Sequence, residues 1–276
     1  MDLYCVMGNP VDHSKSPWIH ARFAALSGQA LRYGKRLVAL DRFAAEVHAF
    51  IAEGGRGCNV TVPFKFEAAA LACRCSARAS LAMASNTLTF EDGTILADNT
   101  DGAGLVNDIQ RNAGVDLSGR RLLLLGAGGA AAGVLGPLLQ ARPSSITVAN
   151  RTRQRALVLV TRHEALAAQE QTALLVRDLQ ELTGDFDVVI NATSSSLHGE
   201  AVPVPAGLLR HGALAYDLMY GAAARGFLQW AGEQGAAARD GLGMLVEQAA
   251  EAFLIWRGVR PPSAQVLDEL RALLSH

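Results

Sequence analysis

The run GAGGAAAG at 126–133 puts Gly126, Gly128 and Ala131 at the spacing of a dinucleotide-binding turn, G-x-G-x-x-G/A. The chemistry is phosphate recognition. The first glycine permits a tight turn, the second lets a pyrophosphate approach the backbone, and the small third residue allows close helix–strand packing. A helix N-terminus then presents free N–H groups to the phosphates. About twenty residues on, where an NAD site places a carboxylate for the ribose 2′-hydroxyl, the sequence reads VANRTRQR (148–155). A carboxylate would repel a 2′-phosphate, whereas the guanidinium groups of Arg151, Arg153 and Arg155 can pair with one. Bases in place of an acid point to NADP. The competing reading, a solvated basic helix start, is electrostatically poor because cations sit badly at a helix N-terminus.

A second set of chemistry-bearing residues lies in the first hundred positions. HSKSP (13–17) follows a strand and precedes a helix, so the hydroxyls of Ser14 and Ser16 either cap that helix or bind an anion. GCNVTVPFK (57–65) sets Asn59, Thr61 and Lys65 just beyond the carboxyl end of a strand, where α/β ligand sites gather. SNT (85–87) and DNTDG (98–102) add Asn86 and Asp101. Taken singly, a lysine is usually a solvated charge and an Asp before Gly usually marks a turn.

The elements that must position these residues alternate along the chain. Strands are expected at 3–7, 35–40, 57–61 and 86–90, with helices near 17–27, 41–53 and 65–83 and a hairpin turn at EDGT (91–94). A helix over about 101–113 leads into NAGVDLSGRR, a polar, glycine-bearing stretch expected to be the domain junction. A second βα series follows, with strands at 121–125, 145–150, 172–176, 187–191 and 213–217. Two β-α-β-α series predict mostly parallel sheets and two α/β domains, with ligands in an interdomain cleft.

The chain's 276 residues suit one large or two modest domains, and 50% apolar with 18% charged residues describes an ordinary soluble protein. A formal charge of −1 gives no electrostatic reason to expect nucleic acid or an anionic membrane as partner. The opening MDLYCVMGNP has no basic segment followed by an apolar core, so a cytoplasmic location is expected rather than secretion. Residues 122–141 carry no charge, but five glycines and Pro137 in that window argue against a membrane span. Cys5, Cys58, Cys73 and Cys75 have no paired CxxC spacing and are expected to be reduced and mostly buried. No His/Cys/carboxylate cluster has metal-ligand spacing.

HSKSP, NVTVPFK, SNT, DNTDG, GAGGAAAG, NRTRQR, NATS (191–194), YDLMY (216–220) and GLGMLVEQA (241–249) together resemble shikimate dehydrogenase. The resemblance runs from about residue 8 to 257, with the motifs in family order and at family-like intervals. It implies a two-domain α/β fold: an N-terminal substrate-binding and catalytic domain over 1–101, a Rossmann-type doubly wound NADP domain over 102–240, and C-terminal helices over 241–276 that return to the first. It implies the NADP-dependent, reversible reduction of 3-dehydroshikimate to shikimate by a monomer or homodimer whose partner is that small molecule.

The resemblance also assigns residues. Lys65 and Asp101 match the catalytic pair. Ser14 and Ser16 match the hydroxyls that hold the substrate carboxylate, and Asn59, Thr61, Asn86, Tyr220 and Gln248 match the other substrate contacts. Gly126, Ala127, Gly128, Gly129 and Ala130 match the pyrophosphate loop, and Asn150, Arg151, Thr152 and Arg155 the adenosine-phosphate clamp. Thr193, Met219 and Gly241 match further cofactor-binding positions. Arg153 has no such counterpart. The sequence departs from the family at Arg225 and Gly226, where Thr-Pro is expected, and at Ser196 and Ala97, where glycine is expected. The alternatives are a quinate/shikimate dehydrogenase of broader range, often NAD-using, or a non-catalytic NADP-binding regulator. The arginines argue against the first, and intact Lys65 and Asp101 against the second. A relation to glutamyl-tRNA reductase would leave HSKSP, NVTVPFK and DNTDG unexplained.

Overall fold

The computed structural model describes residues 1–193, 204–205 and 207–274. The chain divides into two compact units, Met1–Gly104 with Leu245–His276, and Leu105–Met244.

In the first unit, β1 (Asp2–Gly8) is an inner strand whose last five residues are buried. Helix α1 (Ser16–Ser27) leads to β2 (Leu31–Leu37), and α2 (Phe43–Ala52) leads to β3 (Gly55–Val60). Both strands run parallel to β1. Then come α3 (Lys65–Leu71), β4 (Arg74–Cys75), α4 (Ala77–Ala82), β5 (Thr87–Glu91) and β6 (Thr94–Asp98). The sheet order is β2-β1-β3-β5-β6-β4, with β5 antiparallel to both β3 and β6. Asp92 and Gly93 turn the β5–β6 hairpin at φ 47° and 74°, the conformation expected of Asp-Gly. Met7, Cys58, Phe64 and Leu88 form part of the core, where Phe43 stacks on Phe64 at 5.0 Å.

Two elements differ from the sequence reading. Strand β2 starts at Leu31 and ends at Leu37, four residues earlier than expected at its start. It is an edge strand carrying Arg32, Lys35 and Arg36, so the apolar pattern of KRLVAL was a poor guide. Val38 instead takes the Gly8 carbonyl and the Asn9 amide. The helix expected over 65–83 breaks into α3 and α4. Cys73 and Ser76 give their N–H groups to Ile95 and Ala97, and Ser76 then caps α4 by accepting the Ala79 N–H. Pairing at the sheet edge overrides the helix preference of an alanine-rich stretch.

The second unit begins within α5 (Asp101–Asn107), whose end widens into a π turn over Asp108–Asn112. Its elements are β7 (Arg121–Leu125), α6 (Gly129–Gln140), β8 (Ser145–Ala149), α7 (Arg153–Gln169), β9 (Ala173–Arg177), β10 (Phe186–Asn191), β11 (Leu209–Asp217), α8 (Arg225–Glu233) and β12 (Ala237–Arg239). The sheet is wholly parallel in the order β12-β11-β10-β7-β8-β9. This is a doubly wound sheet: the chain runs outward from β7 through β8 and β9, then returns to the other side of β7. The carboxyl ends of β7 and β10 therefore flank the switch point where such sheets bind ligands. Leu122–Leu125, a continuous apolar run, is buried as a strand covered on both faces must be, and β10 is buried throughout, Asp187 and Asn191 included.

Asp108 is fully buried in this unit. Its oxygens take Arg239 Nε and Nη2 at 2.7 Å each, the Tyr216 hydroxyl at 2.7 Å and Asn112 Nδ2 at 2.8 Å. Burial pushes its carboxyl up, but these bonds outweigh burial and hold it below the ordinary value.

Helices α9 (Leu242–Arg257) and α10 (Ser263–Leu274) end the chain. The division between units falls inside α5, after Gly104, and inside α9, after Met244, rather than in the NAGVDLSGRR stretch. Within the first unit, Trp256 stacks on Tyr4 at 4.6 Å and donates to the Leu88 carbonyl, and Arg78 joins Asp98 to Glu251. Cys5 and Cys58 are buried, but Cys73, just before the short edge strand β4, and Cys75 on it are exposed; all four are free thiols. Among the described residues no helix is long and apolar enough to cross a membrane.

Candidate active site

In the first unit the polar residues converge at the carboxyl end of β3. Lys65 opens α3 and Asp101 opens α5, where the helix dipole favours a carboxylate. Lys65 Nζ donates to Asp101 Oδ2 at 2.6 Å, with side chains 14% and 6% exposed. Asp101 Oδ1 accepts Asn86 Nδ2 at 2.8 Å, and its N–H reaches Asn99 Oδ1. Asn86 Nδ2 also faces Gln248 Oε1 at 3.1 Å and Thr100 Oγ1 at 2.9 Å, while Asn86 Oδ1 takes the Thr100 N–H.

Asn59 is tied on all sides. Its Nδ2 donates to the Asn86 carbonyl and to Thr87 Oγ1, each at 3.1 Å, and its Oδ1 accepts the Tyr33 hydroxyl at 2.7 Å. The Thr61 hydroxyl has no partner among the described residues. Ser14 Oγ accepts the Ser16 N–H at a long 3.3 Å, and Lys15, the N-cap of α1, makes no side-chain cap bond. The helix start is thus weakly capped, and Ser16 itself is buried. One turn on, His20 is fully buried and stacks on Tyr33 at 4.2 Å and 5°. Burial drives its pKa down to about 3, so the imidazole is neutral; among the described residues neither ring nitrogen has a hydrogen-bond partner.

The second unit builds a phosphate cradle at the switch point. Gly126 has φ 110°, and a Cβ there would meet the Ala192 carbonyl oxygen at 2.9 Å, so only glycine fits the turn after β7. Ala127 follows. Gly128 caps α6, and among the described residues nothing stands where its Cβ would point. The N–H groups of the first turn, Gly129 and Ala130 among them, have no partner within the helix. These features fit a dinucleotide pyrophosphate.

After β8, Asn150 Nδ2 donates to the carbonyl of Thr152, the N-cap of α7. Arg151 and Arg155 are exposed and form no ion pair among the described residues, whereas Arg153 pairs with Asp178 at 3.0 Å. Two of the three arginines therefore remain available to a phosphate. After β10 and β11, Thr193 is held by Asn191, and Met219 by Asp217. Gly241 N–H donates to the Met219 carbonyl. Tyr220 is partly buried; burial first, and then Asp240, raises its phenol pKa. Arg225 and Gly226 are exposed at the start of α8, Ala97 is buried in β6, and Ser196 lies outside the described residues.

Sequence reasoning named Asn86, Asn59 and Asp101 but missed the groups that hold them, Tyr33, Thr87 and Thr100 for the two amides and Asn99 for the Asp101 N–H. Asn191 and Asp217 were likewise passed over. Four of these, Thr87, Asn99, Thr100 and Asn191, are polar neighbours of named residues within the quoted motifs, and Asp217 stands in YDLMY. Tyr33 had no local signal.

Comparison with known proteins matches residues 6–88 to "Shikimate dehydrogenase substrate binding domain", 108–199 to "Shikimate / quinate 5-dehydrogenase" and 241–271 to "Shikimate 5'-dehydrogenase C-terminal domain". A shikimate dehydrogenase (NADP(+)) of Acidovorax sp. (strain JS42) is 66% identical over 99% of this chain and 97% of its own. Among solved structures, an Ael1 enzyme from Pseudomonas putida is 50% identical, covers 98% of both chains and has a TM-score of 0.90. The Thermus thermophilus shikimate 5-dehydrogenase in complex with NADP(H) and shikimate is 30% identical over 99% of both chains, with a TM-score of 0.85.

Proposed function

The chain belongs to the shikimate dehydrogenase family, and from that premise we propose that it is an NADP-dependent oxidoreductase that interconverts 3-dehydroshikimate and shikimate in aromatic amino-acid biosynthesis. NADPH, when bound, supplies the hydride to the ring ketone carbon. Lys65 serves the polar half of the reaction: its ammonium stabilises the alkoxide that develops on the ketone oxygen and delivers a proton from Nζ. Asp101 holds that ammonium and a substrate hydroxyl. Ser14 and Ser16 receive the carboxylate, while Asn59, Thr61, Asn86, Tyr220 and Gln248 are the remaining substrate set, all uncharged. Such donors and acceptors suit a polyhydroxylated ring.

The cofactor is assigned to the second unit. Gly126 to Ala130 take the pyrophosphate, Asn150, Arg151, Thr152 and Arg155 the adenosine phosphate, and Thr193, Met219 and Gly241 the remainder. We place the reaction in the cytoplasm, a reading supported by four free thiols, and assign the enzyme a monomeric or homodimeric state with no nucleic acid or membrane partner.

The observation that carries this reading is the 2.6 Å contact between Lys65 and Asp101 amid amides and hydroxyls. Its test is a turnover assay with shikimate and NADP, with quinate and NAD as controls. The expected result is a clear preference for the first pair. Equal or faster turnover of quinate with NAD, or none with any pair, overturns it.

A further inference from the structure

The carboxylate of Asp217 stands at the end of β11 with no exposed surface. Asn191, equally buried, stands at the end of β10 as its direct neighbour across the ladder. Asn191 also pairs with Leu125, the last residue of β7 before the phosphate turn, so the three strand ends are in one row. Burying a carboxylate is expensive unless it is well bonded, and a turn between a strand and a loop can be built without one. The bonds made here show where its strength goes.

Asp217 Oδ2 accepts Asn191 Nδ2 at 3.0 Å, and Asp217 Oδ1 accepts the Met219 N–H at 2.8 Å. On the other side, Asn191 Oδ1 accepts both the N–H and the hydroxyl of Thr193, at 3.2 and 2.7 Å. Backbone bonds complete the stitching: Leu218 N–H to the Asn191 carbonyl, and Gly241 N–H to the Met219 carbonyl, each at 2.9 Å. A Cβ on Gly241 would meet the Leu218 carbonyl oxygen at 2.2 Å, so the third segment is fitted closely to the second. Thr193, Met219 and Gly241, drawn from three separate stretches of chain, thus hang on one buried amide–carboxylate pair.

We propose that Asn191 and Asp217 are the positioning pair of the cofactor site, fixing Thr193 and Met219 for NADP without themselves touching it. The inference rests on the reading of the second unit as the NADP carrier. The donor pattern gives it a specific test, because exchanging the two side chains keeps these bonds. With Asn191→Asp and Asp217→Asn together, the amide donates in the opposite direction, while the Thr193 and Met219 groups still find oxygen acceptors. Either change alone breaks the pair: Asp217→Asn sets amide against amide or turns an N–H₂ toward the Met219 N–H, and Asn191→Asp sets two carboxylates together.

The experiment measures NADP binding to the apo protein by calorimetry, alongside the melting temperature and the KM values for NADP and shikimate. Each single variant should raise the NADP dissociation constant and KM at least tenfold and leave the shikimate KM within about threefold. The exchanged double variant should return NADP binding to within about threefold of the parent. Single variants that bind NADP normally overturn the proposal, as does a folded double variant that remains tenfold weak. A double variant that does not fold also counts against it. Failure of the parent protein to bind NADP would instead overturn the functional reading on which the pair depends.

Discussion

Lys65 and Asp101 meet at 2.6 Å, and the carboxylate oxygen that Lys65 leaves is held by the Asn86 amide at 2.8 Å. The carboxylate is therefore pinned from two sides, and it fixes the ammonium, whose other N–H donors have no partner among the described residues. Lys65→Met should lower turnover by roughly a hundredfold or more, the range for a lost general acid, with smaller changes in shikimate and NADP affinity. Asp101→Asn should also lower it. Steady-state kinetics of the double variant should show less loss than the product of the singles, because the two act as a unit. Near-normal turnover by Lys65→Met would remove the lysine from the mechanism.

The arginines after β8 are not equivalent. Arg151 is exposed and unpaired among the described residues, while Arg153 is engaged by Asp178. A charge-assisted bond is worth about 1.5–3 kcal/mol, so Arg151→Ala should raise the KM for NADP roughly tenfold or more. Arg153→Ala should change it little, and use of NAD should barely respond to either. Equal weakening of NADP and NAD by Arg151→Ala would contradict the phosphate role.

His20 should make the protein sensitive to mild acid. Its folded pKa of about 3 lies below the ordinary 6.5, so its contribution to stability is complete above pH 6.5 and declines as pH falls from there toward 3. The loss is up to about 1.4 kcal/mol per pH unit for one proton. Denaturant unfolding at pH 6.5 and 5.0 should show the parent losing about 1.6 kcal/mol more than His20→Leu. His163, buried and also held low, remains as background in both proteins. Identical losses would mean that His20 is not the neutral, buried group described.

Asp108 should be a point of weakness in the second unit. Removing one partner of a buried ion pair costs about 3–5 kcal/mol, because Arg239 and the Tyr216 hydroxyl would lose their acceptor. Asp108→Ala should lower the free energy of unfolding at neutral pH, read from denaturant titration, by that order. Its carboxyl is held below the ordinary 3.8, so its contribution is complete above that value and is lost as pH falls through the lower folded value. The gap between parent and variant should therefore narrow only in strong acid. A gap already closed at pH 5 would refute the assignment.

How much was legible follows the range of the forces involved. The phosphate turn could be read from spacing because its requirement is local: Gly126 at φ 110° admits no side chain. The hairpin at Asp92–Gly93 was readable for the same reason. Lys65 and Asp101 were linked through the motifs that carry them, and their contact at 2.6 Å joins the starts of two helices. The break between α3 and α4 was hidden because it depends on an edge pairing with β6, which no alanine in 65–83 announces. The bonds of Asn59 to Tyr33 and of Asn191 to Asp217 depend on which strands are neighbours. That order is a property of the folded sheet and is written in no single stretch of sequence.

The first unit is discontinuous, and this shapes how the chain can be made. Asp2 on β1 is bonded by Arg257 of α9, 255 residues later, and Tyr4 must wait for Trp256. On a translating ribosome the N-terminal strands emerge long before the helix that completes their packing. The second unit, Leu105–Met244, is by contrast one uninterrupted stretch. A nascent chain halted near residue 245 would hold every segment of the nucleotide carrier and an unfinished catalytic half. Domains generally fold as units as they are synthesised, so the inserted unit is set to mature first, and β1 is finished only when α9 has emerged.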